Sequence, residues 1–158
     1  AALQLTKARG AVVYAVTSPA KQTELKALGA DRVLDRGTPL VEMLGANSVD
    51  VVIDLVAGSS WADLLDVLRR HGRYAVAGAV AGPIVSLDVR TLYLKDLSFF
   101  GCTALVSGVF ANLVTLIETG AIKSLVAEVF PLKQIKQAQQ TFAEKNYIGK
   151  IVLNIASQ

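Results

Sequence analysis

The chain has 158 residues, the length of one domain, and 53% of them are hydrophobic against 18% charged, which excludes intrinsic disorder and supplies a substantial core. The net charge of +3, from 16 basic and 13 acidic residues, is too even to imply nucleic acid, although it suits an anionic small ligand. One cysteine, Cys102, excludes an internal disulfide and a cysteine-cluster zinc site; with no apolar run near the ~18–20 residues of a membrane helix and no leader pattern, a cytoplasmic α/β domain is expected, without membrane or nucleic-acid partners.

Residues 1–9 (AALQLTKAR) have helical spacing but neither a cap nor a preceding strand. Residues 11–16 (AVVYAV) are β-branched and aromatic and predict a strand. Helical spacing over 19–28, with Leu25 and Leu28 apolar, stops at Gly29 as a C′ glycine should. A short strand over 31–34 and a brief helix over 39–44 follow. The strongest strand signal is 49–56 (VDVVIDLV), apolar at nearly every position between Gly45 and Gly58. Such a strand belongs in a sheet covered on both faces. A helix over 60–70 places Trp61, Leu64, Leu65 and Leu68 on one side, as core. Strands over 72–77 and 97–101 come next, then helices over 106–119 and 132–144, then a closing strand over 148–155. Strands alternating with helices predict an α/β fold with a doubly wound, mostly parallel sheet and helices on both faces. The stretch 78–83 (GAVAGP) directly follows a strand, as a ligand-side loop does. A doubly wound domain normally opens with a strand whose turn carries phosphate-binding glycines, and neither is in this sequence.

Five segments in register carry a resemblance. Residues 5–36 (LTKARGAVVYAVTSPAKQTELKALGADRVLDR) resemble the second βα unit of the medium-chain dehydrogenase/reductase superfamily. Residues 50–58 (DVVIDLVAG), 72–83 (GRYAVAGAVAGP), 92–103 (LYLKDLSFFGCT) and 147–153 (YIGKIVL) continue the match in order. The resemblance covers essentially the whole chain. It is greatest to zinc-containing alcohol dehydrogenase-like and quinone oxidoreductase-like members. It implies that residues 1–158 form an NAD(P)-binding, Rossmann-type domain, the C-terminal part of a longer dehydrogenase. The first strand, its glycine-rich turn and an N-terminal substrate domain would then lie outside this chain, and so would any zinc. Two neighbouring strands should carry unpaired backbone unless they close up or another segment fills the gap.

The end of the first strand carries Thr17, Ser18 and Lys21. An NAD enzyme would place an acidic residue there for the ribose 2′-hydroxyl. Two hydroxyls and a cation suit a 2′-phosphate instead, which favours NADP(H) over NAD(H). The same residues also fit an ordinary helix entry, with Ser18 as N-cap, Pro19 at the first position and a solvated Lys21. The resemblance implies that Val56, Ala57 and Gly58 lie along the adenosine and ribose, where small residues admit the cofactor to the backbone. The competing reading is a plain strand-to-helix turn capped by Ser59 or Ser60. It also implies that Ala77, Gly78, Ala79 and Val80 pass beside the nicotinamide, where the competing reading is a glycine turn required only by backbone geometry, and that the backbone of Phe100, Gly101 and Cys102 lies near its carboxamide. Cys102 itself reads as a small buried residue rather than a nucleophile. From 146–150 (NYIGK), Lys150 ahead of Asn146 would reach the cofactor, or simply flank a strand edge. His71, the one histidine, reads as a surface turn at a helix end, where a cation complements the dipole.

The strand 97–101 is apolar enough to be a liability as a bare edge, and the resemblance implies that it pairs across the two-fold axis of a homodimer. The implied activity is hydride transfer between NADP(H) and an alcohol, aldehyde or ketone, with substrate contacts from outside the chain and the isolated chain inactive. Two other readings stand beside it: a zinc-independent, quinone oxidoreductase-type reductase, and a non-catalytic dinucleotide-binding or oligomerisation module.

Overall fold

A computed structural model describes residues 1–155. The chain opens with α1 (Ala2–Lys7) and enters β1 (Tyr14–Thr17). Pro19 then starts a 3-10 turn that runs into α2 (Gln22–Ala27), as its fixed φ favours. Gly29 ends that helix at φ +99°, with its N–H on the Lys26 carbonyl. β2 (Arg32–Asp35) returns parallel to β1, with Thr17 opposite Asp35. The Lys7 ammonium lies 2.8 Å from the Asp31 carboxylate, which also accepts from the Val13 N–H at 2.7 Å. Those bonds pin α1 beside the entry to both strands. They hold the Asp31 carboxyl below its ordinary range, the lysine contributing most.

α3 (Leu40–Leu44) is too short to persist alone. Its first N–H groups, on Leu40 and Val41, donate to the carboxylate of Asp63 in α4 (Trp61–Val67), which thus supplies a cap from another helix. β3 (Val49–Asp54), β4 (Leu68–Val76) and β5 (Ser98–Gly101) form a parallel sheet in that spatial order. α5 (Val89–Leu94) connects the last two, and the Asp88 side chain caps it through the Arg90 N–H. α6 (Val109–Glu118) leads to β6 (Val126–Pro131), which pairs in parallel with β7 (Lys150–Asn154) after α7 (Ile135–Glu144). Parallel ladders joined through helices give the expected α/β, Rossmann-type organisation.

The main core gathers Val52, Leu65, Leu68, Tyr74 and Leu97, where α4 packs on the three-stranded sheet. Trp61 sits edge-on to Tyr74 with ring centres 4.7 Å apart, and both meet Phe99. A second cluster, Leu34, Leu40 and Val67, joins β2 and α3 to α4. No helix among the described residues is long and apolar enough to cross a membrane.

Four expectations are corrected. The helix expected over 60–70 ends at Val67, and Arg69, Arg70 and His71 belong to β4. The cation that finishes α4 is Lys95, whose ammonium donates to the carbonyls of Leu65, Asp66 and Leu68; His71 projects from the strand at φ +60°. β3 is not covered on both faces, since Val52 and Asp54 are buried while Val51, Ile53 and Leu55 stay 40–48% exposed. Cys102 is exposed, not buried. The strand β6 and helix α5 have no counterpart in the sequence expectations. Among the described residues no ladder joins β1 to β3, and the pairing falls into β1–β2, β3–β4–β5 and β6–β7, so these strands have not closed up on one another.

Candidate functional site

Parallel strands point the same way, so their carboxyl ends collect the loops that follow them. Successive hydrogen bonds hold those loops side by side. The Ala77 N–H donates to the Asp54 carbonyl at 2.9 Å, and the Cys102 N–H to the Val76 carbonyl at 2.8 Å. One edge therefore carries Val56, Ala57 and Gly58 after β3, Ala77 to Val80 after β4, and Phe100, Gly101 and Cys102 at the end of β5. Of the residues expected at the site, this edge unites Val56, Ala57, Gly78, Ala79, Phe100, Gly101 and Cys102.

The loops approach so closely that side chains are excluded at two points. A Cβ on Gly78 would lie 2.6 Å from the Leu55 carbonyl oxygen. One on Gly58 would lie 2.9 Å from the Ala81 Cβ and 3.0 Å from its carbonyl oxygen, and Gly58 also has φ +77°. The Ala81 N–H closes the contact on the Val56 carbonyl at 2.9 Å. Ala57 between them adopts φ +54°, a region that favours glycine. Two bonds fix it there: the Asp54 Oδ1 accepts from the Val56 and Ala57 N–H groups at 2.8 and 2.9 Å. Asp54 Oδ2 accepts from the Tyr74 hydroxyl at 2.5 Å. Burial first, then Asp54, pushes the Tyr74 phenol well above its ordinary range, so it remains a donor.

Thr17, Ser18 and Lys21 lie at the matching end of β1. Ser18 holds the N-cap position before Pro19, but its hydroxyl makes no capping bond. Ser60 likewise holds the N-cap position of α4 without a side-chain bond, so Ser18 and Ser60 stand at helix entries as the competing readings expected, but neither hydroxyl makes the capping bond. The Lys21 ammonium donates to the carbonyls of Lys145 and Tyr147 at 2.7 and 3.2 Å, tying this corner to the α7–β7 connection. Lys150 opens β7, with its N–H on the Leu125 carbonyl, so it follows the connection that Lys21 holds and belongs to the β6–β7 ladder rather than to β3–β4–β5.

Sequence reasoning missed Arg36 and Asp54. The Arg36 N–H donates to the Thr17 carbonyl at 2.9 Å, which places this second cation beside the β1 corner. With Thr38, Ser59 and Ser60 it lines an open hollow of about 330 Å³ between the ends of β2 and β3. The neighbouring Asp35 carboxylate turns back onto the Gly37 N–H at 3.0 Å. An arginine directly after the strand that pairs with Thr17 was the available signal. Among the described residues no group of three His, Cys, Asp or Glu side chains could hold a metal ion. The donor set of the described residues therefore does not fit a zinc centre, whereas small-residue loops with polar and cationic corners have the chemistry a dinucleotide needs.

The chain is similar to known proteins over most of its length. A family model described as "Zinc-binding dehydrogenase" matches residues 28–153. Acryloyl-coenzyme A reductase of Metallosphaera sedula is 30% identical over 154 residues, covering 96% of this chain and 46% of that protein. A thermostable alcohol dehydrogenase structure from Pyrobaculum aerophilum superposes with a TM-score of 0.82 at 34% identity, over 96% of this chain and 45% of that one. An NAD-dependent alcohol dehydrogenase structure gives a TM-score of 0.86 at 27% identity, over 98% and 47%. The chain thus spans less than half the length of the curated relatives it matches. It belongs to the zinc-binding dehydrogenase family, within the medium-chain dehydrogenase/reductase superfamily.

Proposed function

We propose that residues 1–158 are the cofactor-binding part of an NADP(H)-dependent oxidoreductase that moves hydride between nicotinamide and an alcohol, aldehyde or ketone. The interlocked 55–58 and 77–82 loops support this reading: Gly58 and Gly78 let the two backbones pack directly on each other, which sets small residues side by side along the carboxyl edge of β3 and β4, where ligands of parallel sheets bind. The bound cofactor would supply the hydride chemistry, and this chain would bind and orient it. Backbone groups of Ala77 to Val80 and of Phe100 to Cys102 would hold the nicotinamide end. Val56 and Ala57 would support the ribose. Thr17, Ser18 and Lys21, with Arg36 beside them, would receive the 2′-phosphate; two of the three ammonium protons of Lys21 are engaged and one is left for an anion. Lys150 would add a cation from the α7–β7 connection. Substrate contacts and any zinc would come from outside residues 1–158, and the chain alone would be inactive because the groups that orient the reacting carbon would lie with those contacts.

The end strand β5 would pair with its symmetry mate in a homodimer, covering an edge on which Phe100 is half exposed. A cytoplasmic location suits a nicotinamide enzyme with one free, exposed thiol. The test is a paired titration with NADPH and NADH, followed by nicotinamide fluorescence. Tighter NADPH binding, lost in Lys21→Glu while NADH binding persists, is the expected result. Equal affinity for both cofactors in the unaltered protein would contradict the 2′-phosphate assignment.

A further inference from the structure

We propose that Asp54 and Tyr74 form a buried positioning pair that presets the coupled 55–58 and 77–82 loops; its role in cofactor binding rests on the function proposed above. Asp54 is the only buried charged residue among the described residues, at the margin of the sheet whose core holds Val52 and Tyr74. A carboxylate in such a place is costly unless its oxygens are bonded, so an apolar residue would serve packing better. What the carboxylate alone supplies is a set of acceptors. Oδ1 takes two consecutive backbone N–H groups, Val56 and Ala57. Oδ2 takes the Tyr74 hydroxyl, and Tyr74 is fully buried against Trp61 and Phe99. The tyrosine thereby fixes the carboxyl plane, and the carboxyl fixes the turn.

The turn it fixes is one the sequence would not adopt freely. Ala57 has φ +54° and ψ −146°, a conformation open to glycine and costly for alanine. The effect reaches the second loop by contact. The Asp54 and Val56 carbonyls accept from the Ala77 and Ala81 N–H groups, while Gly58 and Gly78 abut Ala81 and Leu55 with no room for a Cβ. A change at residue 57 therefore moves 77–82 as well. Both loops would meet the ligand already shaped, which spares the cost of ordering them on binding.

The experiment compares Asp54→Ala, Asp54→Asn and Tyr74→Phe with the unaltered full-length protein. Amide exchange at Val56, Ala57 and Ala81 is read alongside the dissociation constant for NADPH. Asp54→Ala should accelerate exchange at all three amides while the β4 ladder stays protected, and should weaken NADPH binding about tenfold or more. Asparagine keeps an oxygen for both backbone donors, so Asp54→Asn should restore most of each property. Tyr74→Phe should fall between them. Adding Ala57→Gly to Asp54→Ala should recover part of the affinity by relieving the strained backbone. Unchanged exchange at Val56, Ala57 and Ala81 in Asp54→Ala would overturn the proposal, as would fast exchange with unchanged NADPH affinity. Failure of the unaltered protein to bind either dinucleotide would contradict the function proposed above, and exchange would still decide the pair.

Discussion

At Gly78 and Gly101 the same residue type serves two different purposes. A Cβ on Gly78 would strike the Leu55 carbonyl at 2.6 Å, whereas one on Gly101 would meet nothing within 4 Å. Gly78→Ala should therefore separate the two loops and weaken cofactor binding about tenfold, whereas Gly101→Ala should leave stability within about 0.5 kcal/mol. Thermal melts and cofactor titrations of both variants check this, and equal melting losses would contradict it. Tyr74 gives a prediction in pH. Its phenol titrates higher in the folded than in the unfolded chain, so its contribution is complete below the unfolded value, about 10. It is lost as pH rises beyond that. Melting temperatures compared at about pH 8 and about pH 11 should fall more for the unaltered protein than for Tyr74→Phe; parallel losses would argue against it. Glycines at strand ends were legible in the sequence because few residues compete for such turns. Asp54 was not, because its meaning depends on Tyr74, 20 residues further along and on another strand. Cys102 misled because small apolar character suggests burial, while its position at the end of an outer strand leaves it open.

Elements were legible where a local signal also marked their limits. Gly29 closed α2 and Pro19 opened the turn before it, and both act as expected. The α4–β4 junction was hidden because the helix ends without a glycine, on carbonyls that a lysine from 95 satisfies. β6 was hidden because Pro131 lies in it; as the last residue of the strand it breaks little. α3 stands on an acceptor from α4, so Asp63→Ala should cost about 1–2 kcal/mol. Denaturant unfolding of that variant is the check, and Asp63→Asn should recover part of the loss. β5 is an end strand with Phe100 48% exposed, and pairing across a two-fold axis would cover it. Sedimentation should find the unaltered protein dimeric and Phe100→Lys monomeric. A monomeric unaltered protein would count against that interface.

Across the whole molecule, the class of fold was readable from alternation, but continuity of the sheet was not. Val12, Val16, Val51, Ile53 and Leu55 are 40–71% exposed on or beside β1 and β3, the two strands that share no ladder. Patterning showed that these positions are apolar; only the structure shows that nothing among the described residues covers them. Residues 1–158 alone should consequently unfold over a broad range and bind a hydrophobic dye before the transition. A sharp, high-midpoint transition of the monomer would contradict this. On the proposed function, the carboxyl ends of these strands form one dinucleotide cradle. This is tested most directly by mapping backbone amide shifts as NADPH is added. Shifts should concentrate at 17–21, 56–58, 77–80 and 100–102. Saturable binding that shifts residues elsewhere, with these four segments unmoved, would contradict it.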